Sequence, residues 1–350
     1  MPPSRLQLTQ REIDSTLARY SIGKVHSIHE LAAGSVMSPK VVIESDRGKL
    51  LLKRRANGLD IPALVAFSHE VILGCLEQGI CIPPLLATSD NQNSMVQLGD
   101  QVYELFVFID GSAYDRAPTA IRSHAAQAGA LLSELHLAFD QITTTFEPAR
   151  ETSALNLSRV ELLSDPTLHI EQSTIDHLRR MISFGDELLR ANADPNKLVH
   201  GDWHPGNMIF RQEEIVAICD FDNTRFGSRA REIAQAMIHC SIKLPQPGQP
   251  AIECAPEPDL PALGAFWSGL NREHSRAYSS RMIAGLMPAV MVDAALAMLS
   301  PVGHESDLEQ AKSMLIAVNR KTRWLDEHQG ELIQMLDSAK LANRSKVDPV

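Results

Sequence analysis

Residues His200–Phe210 read HGDWHPGNMIF, and a little further on Cys219–Gly227 read CDFDNTRFG. The first stretch packs two His, an Asp, an Asn, two Gly and a Pro ahead of an apolar run. The second puts two more Asp at the end of another apolar run, IVAI. Neither composition suits a core. The informative feature is the spacing: Asp202, then Asn207 five residues on, then Asp220 thirteen residues after that.

Such a set suits a hard cation. Mg2+ takes one or two carboxylates together with phosphate oxygens and water. Asn207 offers a neutral carbonyl oxygen, and Asp220 a carboxylate on a rigid strand end. Asp202, on the loop, is left to accept the proton of an incoming hydroxyl. Two short strands, 207–211 and 215–220, with a turn at QEE, would bring the three together. Phosphoryl transfer needs this combination of positioning, metal-bound phosphate and a proton acceptor. Two other readings compete. Asp, Asn, Gly and Pro are all turn formers, so a plain surface loop is one. A zinc site at His200 and His204 is the other. A His-x-x-x-His pair binds zinc from a helix, however, and Pro205 and Gly206 oppose a helix there.

The totals set bounds. A chain of 350 residues with 44% hydrophobic content and a net charge of -10 can bury a sizeable core in two lobes. It lacks the basic balance of a general nucleic-acid binder. Five cysteines without a C-x-x-C pair suggest reduced thiols and a cytoplasmic location. The first residues, MPPSRLQLTQREID, hold no apolar segment that would read as a signal peptide. The most apolar run, Ile283 to Leu299, contains Pro288 and Asp293 and reads as a buried helix, so no membrane partner is expected.

Along the chain, Thr9 with Glu12 three residues on forms a capping box for a first helix. KVHSIHEL, KVVIES and KLLLKRR read as strands, with a turn at SDRG, and a helix runs over 61–76 to a stop at Gly79. A second hairpin turns at Gly99-Asp100. Past Gly111 the pattern becomes helical, over 125–139, 170–192, 229–243, 259–300 and 305–340. The only strands expected there flank the two polar motifs. The fold class is therefore α+β, with a small antiparallel-sheet lobe over 1–109 and a larger, mostly helical lobe over 110–350.

HGDWHPGN followed by CDFDNTRFG resembles the aminoglycoside phosphotransferase and choline kinase-like family, small-molecule kinases of protein-kinase-like fold. The run ICDFDNTRFGSRAREIA is particularly similar to the homoserine kinase type II-like and spore-coat kinase-like branches. The resemblance covers roughly residues 25 to 240. It implies ATP and Mg2+ as cofactors, Asp202 as the catalytic carboxylate, and Asn207 and Asp220 as metal ligands. It further implies a phosphate-binding Lys, Lys53, held by a helix carboxylate, Glu70, seventeen residues later. Arg54 and Arg55 compete with Lys53, but LLLK fits the family's strand pattern best. In place of G-x-G-x-x-G the chain has LAAGSVMSPK, where Gly34, Ser35 and Ser38 would contact phosphate. YELFVFIDG resembles the hinge, with Phe106 behind the adenine and the backbone of Val107 and Ile109 bonding its edge. By the same resemblance His136 and Glu232 are structural, His200 orients the loop, Trp203 packs against the second lobe, and Asp222 supports the metal site.

The expected activity is transfer of the γ-phosphate of ATP or GTP to a hydroxyl of a small molecule. A protein kinase and a nucleotide-binding pseudokinase are the alternatives. No A-P-E segment follows CDFDNTRFG, and the catalytic set is intact, which weakens both. Almost all the net negative charge lies past residue 109. From this, and from Asp115, Asp222 and Asp293, an amine-bearing acceptor is expected.

Overall fold

The computed structural model describes residues 6–31, 36–112, 118–145, 155, 157–192, 197–243, 249–270, 277–299 and 305–345. Thr9 caps the first helix, α1 (Gln10–Leu17), and the reciprocal Thr9–Glu12 capping box is formed. The Glu12 carboxylate also accepts hydrogen bonds from Arg54 and Tyr103, which ties the helix start to the sheet.

Five strands form one antiparallel sheet. They are β1 (Val25–Glu30), β2 (Lys40–Ser45), β3 (Gly48–Arg54), β4 (Val96–Leu98) and β5 (Gln101–Val107), in the order β1-β2-β3-β5-β4. The helix α2 (Pro62–Glu77) joins β3 to β4. Both tight turns fall where the sequence places them, at Asp46-Arg47 and Gly99-Asp100.

Strand alternation sends the two sheet faces to different tasks. One face carries Val41, Ile43, Leu50, Leu52, Tyr103 and Leu105, all buried with Ile13 and Leu17 of α1 in a first core. The register on the other face sets Lys40 opposite Lys53, and Lys53 opposite Glu104. A row of three charged residues thus crosses β2, β3 and β5.

The rest is mainly helical: α3 (Pro118–Phe139), α4 (Gln172–Ala191), α5 (Arg229–Ser241), α6 (Leu260–Gly269), α7 (Ser280–Met298), α8 (Glu305–Glu327) and α9 (Gln329–Ser345). Four short strands, β6 (Lys197–Val199), β7 (Met208–Arg211), β8 (Glu214–Ile218) and β9 (Arg225–Gly227), make two hairpin-like ladders around the polar motifs. The second core joins these helices to Phe67, Val71, Ile72 and Cys75 of α2. α2 is thereby fastened to the helical part as well as to the sheet.

The helical stretch expected over 259–300 holds two helices. Leu270 closes α6 in an extended conformation, and Ser279 caps α7 by accepting from Met282 N–H. The two segments pack differently, α6 chiefly on α3 and α7 on α4, α5 and α8. α6 meets α3 closely at Gly129 and Gly269, where a Cβ would come within 2.2 Å of the Phe266 carbonyl and 2.0 Å of the Ala126 carbonyl respectively. α7 is long and apolar enough to cross a membrane, but 78% of its apolar window is buried among these neighbours. Its Asp293 is paired with Arg231 of α5 at 2.5 Å.

Candidate active site

The loop between β6 and β7 is built on Gly201. Its φ is +80°, and a Cβ there would lie 2.2 Å from the Asn223 carbonyl oxygen. Glycine is therefore required for the loop to fold back onto the second motif. The Gly201 N–H donates to Glu232 of α5 at 2.7 Å, and the other Glu232 oxygen meets His136 Nε2 at 2.7 Å. His136 and Glu232 thus form a buried strut behind the loop.

His200 is wholly buried. It donates from Nε2 to the Cys219 carbonyl (3.2 Å) and accepts at Nδ1 from the Asp202 N–H (3.4 Å). It thereby staples the first motif to the second. Acceptance at Nδ1 requires the neutral ring with its proton on Nε2, and burial holds its pKa below the usual histidine range. Phe221 and Trp203 pack on its ring.

Asn207 spends its amide N–H on Asp202, at 2.9 Å to the backbone carbonyl and 3.1 Å to Oδ2. Its carbonyl oxygen is the end left for a cation. His204 accepts the Gly206 N–H at Nδ1, so its proton sits on Nε2, which lies 3.5 Å from Asp202 Oδ2. Asp202 is therefore held by one oxygen. Burial pushes its pKa up, but His204, the His200 ring and Asn207 outweigh this and hold it below the ordinary value. It is a carboxylate at neutral pH. The ring of His239, on α5, stands edge-on to His204 at 5.8 Å. Its buried Nδ1 has no hydrogen-bond partner among the described residues.

The β7–β8 ladder pairs Met208 with Ile218, and Cys219 N–H donates to the Asn207 backbone carbonyl at 2.9 Å. This brings Asp220 beside Asn207. Asp220 is in the left-handed region (φ 68°, ψ 63°), a conformation that costs a non-glycine residue about 1–3 kcal/mol and that clusters at functional sites.

Lys53 Nζ bonds Asp220 at 2.9 Å and Asp222 at 2.5 Å. Burial pushes its pKa down, yet Asp222 and Asp220 outweigh this and keep it a firm ammonium. Arg55 contacts Asp222 at 3.0 Å and grips both oxygens of Glu104 at 2.7 Å. His69 Nε2 meets Glu104 at 2.5 Å.

Asp202, Asn207, Asp220 and Lys53 are thus brought together. Glu70 is not, and the expected Lys53–Glu70 pair is not made. Glu70 lies on another side of α2 and accepts from the Thr145 N–H at 2.9 Å and from the Thr145 hydroxyl. The carboxylate aligned with Lys53 is Glu104, on β5. Ser38 is also turned away from phosphate, since its hydroxyl donates to the Arg54 carbonyl at 2.7 Å. Gly34 and Ser35 lie outside the described residues. Phe106 shares the sheet face of Lys53 and Glu104, and Ile109 follows β5, half-buried. The Val107 N–H already donates to the Pro84 carbonyl at 2.8 Å, so it is not open to a purine. Of the carboxylates expected to line an acceptor pocket, Asp222 is neutralised by Lys53 and Arg55, Asp293 by Arg231, and Asp115 lies outside the described residues.

Residues 30–258 match the sequence profile of the phosphotransferase enzyme family, APH. The chain belongs to this family. Among its relatives, a homoserine kinase of Methylocella silvestris is 24% identical over 221 residues, which cover 61% of this chain and 64% of that protein, so the match spans less than two thirds of the relative's length. A microcompartment-associated aminopropanol kinase shares the fold with a TM-score of 0.68 at 12% identity, over 93% of this chain and 99% of the other. An amicoumacin kinase solved with AMP-PNP and Ca2+ gives a TM-score of 0.62 at 12% identity, over 93% and 94%. The sheet-plus-helices architecture of this chain is that of the aminoglycoside phosphotransferase, protein-kinase-like fold.

Proposed function

We propose that the chain is an ATP- and Mg2+-dependent kinase that phosphorylates the hydroxyl of a small amino alcohol. The observation that carries this reading is the meeting of Lys53 with Asp220, at 2.9 Å, beside a loop on which Asn207 orients Asp202. The donor set fits a hard cation: a carboxylate, Asp220, and an amide oxygen, Asn207, with no thiolate or imidazole between them. A bound Mg2+ would supply charge neutralisation for the transferring phosphoryl group.

The chain's own groups do the rest. Lys53 binds phosphate oxygens. Asp202, fixed on Oδ2 by Asn207, presents Oδ1 to the acceptor hydroxyl and takes its proton. A carboxylate of lowered pKa is a weak base. In a loose phosphoryl transition state the nucleophile needs orientation more than early deprotonation, so that weakness is tolerable. His200 and the His136–Glu232 strut hold the loop still.

The amino alcohol rests on the relatives, whose names carry homoserine and aminopropanol, and not on the carboxylates counted in the sequence. The unpaired cysteines and the need for ATP go with the cytoplasm. The test is ATP consumption against a panel of amino alcohols, their deaminated analogues, sugars and aminoglycosides. Turnover confined to the amino alcohols supports the reading, and turnover with none of the panel counts against it.

A further inference from the structure

Lys40 makes an arrangement that the catalytic set described so far does not use. It opens β2 and stands directly opposite Lys53. The neighbouring Arg54 N–H donates to the Pro39 carbonyl, so Lys40 and Lys53 form a non-hydrogen-bonded pair, the kind in which facing side chains come closest. Like charges directly opposite destabilise a sheet. Two lysines there need a reason.

The side chain of Lys40 is 11% exposed, and its Nζ lies 3.7 Å from Asp220 Oδ2. That is an ion contact beyond hydrogen-bond length, whereas Lys53 bonds the other Asp220 oxygen at 2.9 Å. The Lys40 ammonium makes no hydrogen bond among the described residues. The cluster is balanced as it stands: Lys40, Lys53 and Arg55 face Asp220, Asp222 and Glu104. Once Asp220 is engaged by a cation, both lysines lose that partner, and three positive side chains face two remaining carboxylates, with Lys40 the one left without any. The stretch LAAGSVMSPK holds one glycine, and the Ser38 hydroxyl is already committed to the Arg54 carbonyl.

We propose that Lys40 is a second phosphate-binding lysine, which together with Lys53 clamps the nucleotide polyphosphate from β2 and β3. This rests on the kinase reading above. It gives the chain two ammonium groups, on adjacent strands, to meet the polyphosphate charge.

Equilibrium titration with ATP and with adenosine, each with Mg2+, tests it without turnover. Wild type is compared with Lys40→Met, with Lys40→Gln as a second charge-removing variant should the first fold poorly, and with Lys40→Arg. Loss of a charge-assisted contact should raise the Kd for ATP by about ten-fold or more. Adenosine affinity should stay unchanged, and Lys40→Arg should keep most of the ATP affinity. ATP bound as tightly without the charge overturns the proposal. So does equal weakening of ATP and adenosine, which would make Lys40 a purely structural residue. If wild type itself binds no ATP with Mg2+, the kinase reading has failed and the Lys40 proposal falls with it. Normal wild-type binding alongside normal Lys40→Met binding sinks the Lys40 proposal alone.

Discussion

Glu104 on β5, and not Glu70 on α2, is the carboxylate that stands across the sheet from Lys53. Glu104 is fully buried and held by Arg55 and His69, and Arg55 in turn reaches Asp222, which bonds Lys53. The lysine is therefore oriented through a buried chain of charges that links β3 and β5 to Asp222 of the second motif and to His69 of α2, and not by a direct bond to Glu70.

Breaking that chain from one side leaves a charge uncompensated in the interior. Such losses cost about 3–5 kcal/mol. Glu104→Gln is expected to lower unfolding stability by that order in a denaturant titration. Glu70→Gln, which lies outside that chain of charges and accepts from Thr145, should cost clearly less. Equal effects would contradict the assignment.

Gly201→Ala should uncouple the two motifs. The added Cβ meets the Asn223 carbonyl at 2.2 Å in a left-handed backbone. Strain of this kind costs about 1–3 kcal/mol, and relief requires the loop to move off β9. Turnover should fall far more than ATP affinity, because Lys53 lies on a different element. A variant with unaltered kcat would show that the loop tolerates the shift.

The pH dependence follows from His200. Its folded pKa lies below the ordinary value of 6.5, through burial. The unfolded chain therefore binds the extra proton first as pH falls. The stability this histidine lends is full above about 6.5 and drains below it. Denaturation midpoints measured from pH 8 to pH 5 should drop for the wild type and drop less for His200→Gln, which keeps a hydrogen-bonding side chain that cannot titrate. Parallel curves would remove His200 from the explanation.

That Asp202, Asn207 and Asp220 would meet was legible because their spacing is local and a short β-hairpin joins the two motifs. Lys53 was legible through the resemblance, since strand alternation puts Lys53 and Arg55 on one face and cannot choose between them. Glu104 was not, because its alignment depends on a strand pairing between β3 and β5 that no local pattern encodes. The visible clue was a lone carboxylate set among Tyr103, Leu105 and Phe106 in a strand. Glu70 misled because α2 is apolar on most of its surface, so helical period does not say which side meets the sheet. His69, one residue away, is the one turned inward. Net charge failed for a different reason. It counts carboxylates without placing them, and Asp222 and Asp293 turn out to be paired with Lys53, Arg55 and Arg231.

The metal-site residues should separate by charge. Asp220→Ala removes a full carboxylate from the cation and a partner from Lys53. Asn207→Ala removes only an amide dipole. Calorimetry with and without Mg2+ should show the larger loss of Mg2+-dependent ATP affinity in Asp220→Ala. Asn207→Ala should instead show the larger relative loss of kcat, because Asp202 loses its orienting donor.

The most direct measurement is product formation by Asp202→Asn beside wild type, read by mass spectrometry with ATP, Mg2+ and the amino alcohol panel, with ATP affinity measured on the same samples. Loss of a proton acceptor commonly costs about 10²–10⁴-fold in rate. The expected result is a phosphate monoester from wild type, a rate reduced by that order in the variant, and unchanged ATP binding in both. A variant that turns over at the wild-type rate, or a wild type that binds ATP yet phosphorylates nothing in the panel, would contradict the assignment of Asp202 as the carboxylate that receives the acceptor's proton.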